Sequence, residues 1–441
     1  MSNTDEDPEP HIRVYPDRHE IYKGGTIIEQ HSTASRSDEA KQRSDDIKDS
    51  FDDGYLVEKF ELVRESGTEH IPERIQNREE FEQLQSHIDQ IVDGMSANRG
   101  RALAAHTVLL LAIKSLEPNQ SIRLHKSSIW KEGLPMRGID SDYISPELSD
   151  RDLVHVNRDG VMMTRTLAEN LPYGAAYPAN IKGPQSSWAG VIEILEERDD
   201  GELAEAALEY MILVLYNRGD KANELNEDAI SKTENLISDG LSEKDVRQLI
   251  REHINNSDHA ARLLEISLHS LYQPLQEADI LDGRLKSLTQ MRSADRKHGN
   301  VGDIEVVAPD DEFHVKEAID GKYGHGLNLG ELRDLGSKLR SHPETESVIF
   351  VTSVERDLSS DVKEAINRLE TNFNVNIDVR SLGKHSQAVL KQYDDAGIRP
   401  DSWLTSYVET LTHRRRDIAP IDEPTIDWVD TLIEVLEERT S

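Results

Sequence analysis

Between residues 259 and 382 the spacing of apolar residues switches repeatedly between two periods, and the order of the switches leaves few folds open. HAARLLEISLHSLYQPL (259–275) sets Ala260, Leu263, Leu264, Ser267, Leu268 and Leu271 on one helical face. GDIEVV and EFHVKEAIDGKYG then read as the two strands of a hairpin. A helix over 327–340, a buried strand at VIFVTS (348–353), a helix over 361–373 and a strand at VNIDVRSL (375–382) follow. Helix, strand, strand, helix, strand, helix, strand predicts an α/β domain with a mixed central sheet flanked by helices.

The remainder of the 441 residues is expected to form one or two further domains. Residues 1–70 read as an acidic, flexible N-terminal arm, because Ser, Asp, Glu, Arg and Lys crowd its first part. Within it FDDGYLVEKFELV leaves strand and helix both open. Residues 71–200 are expected to be an α+β region, with helices over 78–94 and 101–116 and short strand or loop pieces over 117–190. A helical connector is predicted over 201–254, built from an apolar helix at 203–216 and polar ones near 221–238 and 242–254. The α/β domain is assigned 255–420, and 421–441 a C-terminal helix.

The chain has no cysteine, which excludes disulfides, thiolate zinc sites and a cysteine nucleophile. No run reaches the roughly 18 apolar residues of a membrane span; the longest, 102–113, is interrupted by His106 and Thr107. The acidic, polar start MSNTDEDPEP is unlike a signal peptide. These features predict a cytoplasmic protein with no membrane partner. Lys and Arg number 51 against 85 Asp and Glu, a net charge of −34. Because the acid is spread along the chain, it reads as halophilic adaptation, in which salt screens the self-repulsion. Partner electrostatics must then be sought in local patches.

The hairpin carries a chemical constellation. Asp303 follows Gly302 at the start of its first strand, and Asp320-Gly321-Lys322 ends the second. Residues two apart on a strand share a face, so Asp320 and Lys322 project together and the hairpin brings Asp303 beside Asp320. Two carboxylates offer hard oxygen ligands to Mg²⁺, which lowers the pKa of a bound water and offsets charge on a phosphoryl transition state. Lys322 would orient or deprotonate the attacking water, or stabilise developing charge. The ordinary alternative is a solvent-facing strand with alternating charges.

These residues resemble the PD-(D/E)xK nuclease signature, with Asp303 in the variable acidic position. In that superfamily the preceding helix often adds an acidic ligand, for which Glu265 is the matching residue; Glu305, on the strand face of Asp303, is the other candidate. NRGRALAAHTVLLLAIKSL (98–116), SIRLHKSSIW (121–130), RGIDSDYISPEL (137–148), TRTLAENLPY (164–173), AARLLEISLHSLYQ (260–273), HGNVGDIEV (298–306) and EAIDGKYG (317–324) together resemble the SacI family of type II restriction endonucleases, over roughly residues 95–385. The resemblance implies a Mg²⁺-dependent, sequence-specific endonuclease for double-stranded DNA, paired with a cognate DNA methyltransferase. A twofold DNA site would be matched most economically by a homodimer. The alternatives are another PD-(D/E)xK nuclease, acting in repair or on modified DNA, and a non-catalytic DNA-binding protein on a decayed nuclease fold.

DNA reading is expected over 121–190, where cations gather in an otherwise acidic chain. The candidates are Arg123, Lys126, Arg137, Thr164 and Arg165, with His298 near the cut. Trp130, Tyr143, Tyr173, Tyr177 and Trp188 are interleaved with them. The alternative for each is an ordinary surface cation or core aromatic.

Overall fold

A computed structural model describes residues 9–95, 100–154, 161–163, 165–289, 299–421 and 425–440. The chain divides into two compact units, Met1–Lys221 and Ala222–Ser441.

The first unit opens with an antiparallel sheet of β1 (His11–Val14), β2 (Arg18–Lys23) and β3 (Thr26–Ser32), with β2 in the centre. Helices α1 (Asp38–Asp52) and α2 (Tyr55–Ser66) follow. The residues expected to be a flexible arm are therefore folded from residue 11 onward. The reason is local pairing: Glu20, a charge that argued for solvent, is buried on β2, where it accepts from Arg18 Nε at 2.7 Å and Tyr22 Oη at 2.9 Å. Ser37 caps α1 by accepting from Ala40 N, and Ile47, Phe51, Leu56, Phe60 and Val63 bury one face of the two helices.

A short turn of helix, α3 (Glu73–Gln76), leads into α4 (Glu79–Asp93) and α5 (Arg101–Leu116). Helix α5 is apolar all round and is enclosed on every side, as such a composition requires. Among the described residues, 121–190 contains no strand. It holds the short helices α6 (Met136–Ile139) and α7 (Ser145–Asp150), a π-turn over Asp140–Ile144, and the start of α8 (Gln185–Glu196). Its Trp and Tyr residues are not arrayed for bases. Trp130, Tyr173, Tyr177 and Trp188 are buried, and Trp188 Nε1 donates to His106 Nδ1 at 3.0 Å.

The two helices expected at 203–216 and 221–238 are one continuous helix, α9 (Gly201–Asp239), within which the unit boundary falls. Between them the sequence offers a lone Gly219 and no proline. One interior glycine costs only about 1 kcal/mol, too little to stop a helix of Ala, Glu, Leu and Lys.

In the second unit, a Ser242–Asp245 capping box starts α10 (Glu243–Asn256), and α11 (Ala260–Glu277) follows. The sheet runs β4 (Arg284–Leu285), β5 (Ile304–Ala308), β6 (Asp311–Lys322), β7 (Ser347–Thr352), β8 (Asn376–Ser381) in that spatial order. The first two pairings are antiparallel and the last two parallel, so the expected mixed sheet is present. Helices α12 (Leu329–Ser341) and α13 (Ser360–Phe373) join the parallel strands, as parallel pairs demand a crossover. They cover one face, where Leu332, Leu335, Leu339, Val362 and Ile366 meet Val307, Ala318, Val348 and Phe350. Helix α11 packs against β6 on the other face. Helices α14 (Leu382–Ala396), α15 (Asp401–Leu411) and α16 (Ile426–Thr440) complete the unit.

Among the described residues, no helix is long and apolar enough to cross a membrane.

Candidate active site

Register decides what the hairpin can present. Ile304 pairs with Ile319, so Asp303 and Asp320 stand one step further along, at the open end of β5 and β6. The close approach of the strands there depends on Gly302. A Cβ at that position would lie 2.7 Å from the Ile319 carbonyl oxygen. Its role is therefore backbone contact within the hairpin.

The carboxyl of Asp303 reaches across the hairpin, and Oδ2 accepts from Gly321 N at 2.9 Å. The Asp303 side chain is half-buried. Burial pushes its pKa well above the usual carboxylate range; Asp320 and then Glu265 push it further, against the opposing pull of the Gly321 N–H and Lys322. Asp320, Glu265 and Lys322 thus all act on the charge of Asp303.

Lys322 Nζ donates to Asp320 Oδ1 at 2.5 Å and lies 3.8 Å from Glu331 Oε1. Burial alone would lower its pKa, but Asp320, Asp303 and Glu331 outweigh that and raise it. Lys322 is thus a firmly protonated ammonium in this arrangement. An ammonium can orient a water or stabilise anionic charge; it cannot accept a proton.

The two acidic candidates for a third ligand differ. Glu265, on α11, is partly exposed and receives Arg262 Nη1 at 2.8 Å. Glu305 is buried and spent: its oxygens accept from Lys286 Nζ at 2.7 Å and Val301 N at 2.5 Å. Glu331 had not been singled out. It accepts from Asn328 N at 2.9 Å in the capping box of α12, and its other oxygen faces Lys322 and His325. The signal was present, since Asn-x-x-Glu ahead of an apolar run is a capping pattern.

Among the described residues, no group of three or more His, Asp or Glu side chains is arranged to hold a metal ion by itself. The donor chemistry still fits Mg²⁺. That ion keeps several waters and needs only one or two protein carboxylates beside a substrate phosphate. The mutual repulsion recorded at Asp303 is what a cation between the carboxylates would relieve.

The residues expected to read DNA have different surroundings. Arg123 is buried, with Nη1 and Nη2 each 2.9 Å from Glu193, Nε 3.0 Å from Glu29, and Nη1 2.8 Å from the Tyr173 carbonyl. A guanidinium so enclosed has no free face for a phosphate, and it holds the 123 and 173 segments together. Lys126 donates to the Ala168 carbonyl and to Asn170 Oδ1. Arg137 and Arg165 are exposed. Thr164 and His298 lie outside the described residues. His325 is exposed, with Nδ1 3.2 Å from the Gly326 carbonyl.

No protein-family model matches this chain, and no curated protein is detectably similar to it.

Proposed function

We propose that this chain is a Mg²⁺-dependent endonuclease of the PD-(D/E)xK type, acting on double-stranded DNA as a type II restriction enzyme. The observation that carries the reading is the grouping of Asp303, Asp320, Glu265 and Lys322 at the open end of one hairpin, on a mixed sheet flanked by helices. Asp303 and Asp320 would hold the ion, with Glu265 beside them once its pairing with Arg262 loosens. The ion supplies Lewis-acid polarisation of the phosphate and a more acidic water. Lys322, a fixed ammonium, orients that water and offsets charge building on the phosphate oxygens. The Gly321 N–H keeps the Asp303 carboxylate in place.

In this reading the partner is duplex DNA, the protein works as a homodimer matched to a twofold site, and a DNA methyltransferase protects the host. The test is cleavage of mixed-sequence DNA with Mg²⁺. The wild-type protein should give discrete fragments. Asp320→Ala and Lys322→Ala should each lose roughly 10²–10³-fold in rate or more while duplex binding survives. Near-wild-type turnover by either variant would remove this site. Light scattering of the protein on DNA reads the dimer.

One observation favours a second reading, a DNA-binding protein that does not cut: the absence, among the described residues, of a complete metal-holding group. Duplex binding with no cleavage in Mg²⁺ or Mn²⁺ would establish it.

A further inference from the structure

The parallel strands β6, β7 and β8 end at one edge of the sheet, and beyond their carboxyl ends lies a recess of about 260 Å³. Such crevices are where open α/β sheets usually receive ligands. Arg247 and Arg251 from α10, and Lys384 from the first turn of α14, line it together with the hydroxyls of Ser353 and Ser381 and the backbone of Gly383. Three cations in one recess are conspicuous in a chain of net charge −34.

Arg247 and Lys384 each have a carboxylate partner, but neither cation is fully satisfied by it. Arg247 reaches the Gly383 carbonyl only at 3.5 Å, and its buried Nε makes no hydrogen bond although Glu243 Oε1 is 3.2 Å away. Arg251 is exposed, and the charge it acts on is Glu355, which also receives Lys384 Nζ at 3.0 Å. Glu355 on the lining and Glu243 beside Arg247 thus set two carboxylates against three cations. The positive end of α14 adds to the field.

The recess and the carboxylate site draw on adjacent residues of the chain. Leu264 and Tyr323 line it, and their sequence neighbours are Glu265 and Lys322. We propose that this recess anchors a backbone phosphate of the DNA strand, close to the phosphate that is cut. The proposal rests on the nuclease reading: it assigns the neighbouring contact that holds the strand in place while Lys322 and the carboxylates act. Backbone contacts of this kind fix register without reading sequence.

The experiment is duplex binding by the full chain, followed by fluorescence anisotropy of a labelled random-sequence duplex in EDTA across a KCl series. Arg247→Gln, Arg251→Gln and Lys384→Gln should each weaken binding, and the triple variant should flatten the slope of log K against log salt by about 0.9, the share of one phosphate. Glu355→Gln should tighten it, a gain that misfolding cannot produce. Cleavage by the wild type and by Lys322→Ala is measured in parallel. If the wild type cuts, Lys322→Ala does not, and the recess variants bind with unchanged affinity and slope, the recess proposal falls and the nuclease reading stands. If the recess variants shift binding as expected but Lys322→Ala cuts normally, the active-site reading falls and the anchor survives as a duplex contact. Calorimetry with inorganic phosphate separates the remaining source. Tight phosphate binding that duplex does not displace would assign the recess to a small phosphorylated ligand and overturn the anchor.

Discussion

Gly321 N donates to Asp303 Oδ2 at 2.9 Å, so the backbone of the DxK strand holds the acidic residue of the strand beside it. The same Asp303 is repelled by Asp320 and Glu265, which places its pKa well above the ordinary carboxylate range after burial has raised it. A carboxyl whose folded-state pKa is raised binds more protons folded than unfolded. Its charge therefore removes stability as pH climbs from the ordinary aspartate range upward. Asp303→Asn keeps an acceptor for Gly321 and loses the charge. In EDTA at neutral pH this variant should unfold at higher denaturant concentration than the wild type, with cleavage abolished. A lower midpoint would contradict the electrostatic account.

The two glycines of the hairpin should respond unequally to alanine. At Gly302 a Cβ would meet the Ile319 backbone at 2.7 Å, and backbone cannot step aside. At Gly321 the nearest atoms are the side chains of Leu264 and Leu268 at 3.5 Å, an ordinary contact. Gly302→Ala should cost about 1–3 kcal/mol and most of the activity. Gly321→Ala should change stability by less than about 1 kcal/mol. Urea midpoints of the two variants make the comparison.

Arg123 is expected to matter for folding. Removing one partner of a buried ion pair typically costs about 3–5 kcal/mol, because the charges left behind lose their neutralisation. Arg123→Ala strands Glu193 and Glu29. Arg123→Lys should rescue little, since a lysine cannot reproduce the two-pronged contact with Glu193. Thermal unfolding measures both. A wild-type melting profile with weakened DNA binding would instead make Arg123 a DNA contact.

Acid should unfold the protein early. In the second unit His253, His269 and His385 are buried, and burial lowers each pKa to about 4. Burial outweighs the Trp428 carbonyl, which lies 2.7 Å from His253 Nε2 and by itself favours the charged form; in the neutral ring Nε2 donates to it and Nδ1 accepts from Tyr407 Oη at 2.8 Å. A histidine with a depressed folded pKa takes up its proton more readily unfolded. Its stabilisation is whole above the unfolded value near 6.5 and is lost as pH falls toward 4. Each such group steepens the fall by up to about 1.4 kcal/mol per pH unit. Urea unfolding at pH 7, 5.5 and 4.5 should show this slope, and His253→Gln should reduce it.

The charge of −34 predicts an unusual salt profile. Dilute salt leaves the self-repulsion and the repulsion of DNA unscreened, whereas molar salt weakens phosphate contacts. If the acid is an adaptation to salt, cleavage should persist in molar KCl and decline on dilution. Activity falling monotonically from dilute buffer upward would count against that origin of the charge.

The run from α11 to β8 was legible because its elements are long and periodic, whereas α14 and α15 were not anticipated. The bounds of α5 also follow directly from an uninterrupted apolar run. What escaped depends on which side chains pair with which, and spacing does not show that. The sheet of β1–β3 is short, and its buried Glu20 looks like a surface charge until Arg18 and Tyr22 are placed beside it. Strand β4 is two residues long and exists only by pairing with Val306 and Val307. Glu305 and Glu265 could not be ranked from spacing, because Lys286, Val301 N and Arg262 decide between them. The cations over 121–190 suggested a DNA surface, yet the most central of them, Arg123, is balanced by glutamates contributed from residues 29 and 193.

The pairing of β5 with β6 is regular from Ile304 to Glu317 and breaks only between Val306 and Ala308, next to the turn. Irregularity is thereby confined to the half of β5 nearer the turn, and Ile304 to Val306, next to Asp303, pair in register. A codon gained or lost near Pro309 and Asp310 would be absorbed by shifting an already irregular stretch. The same change at residues 302–304 or 319–322 would swap the faces of the strand and point a carboxylate away from its partner. Lineages of this protein can therefore drift in length at one tip of the hairpin, while the other tip is held to a single spelling.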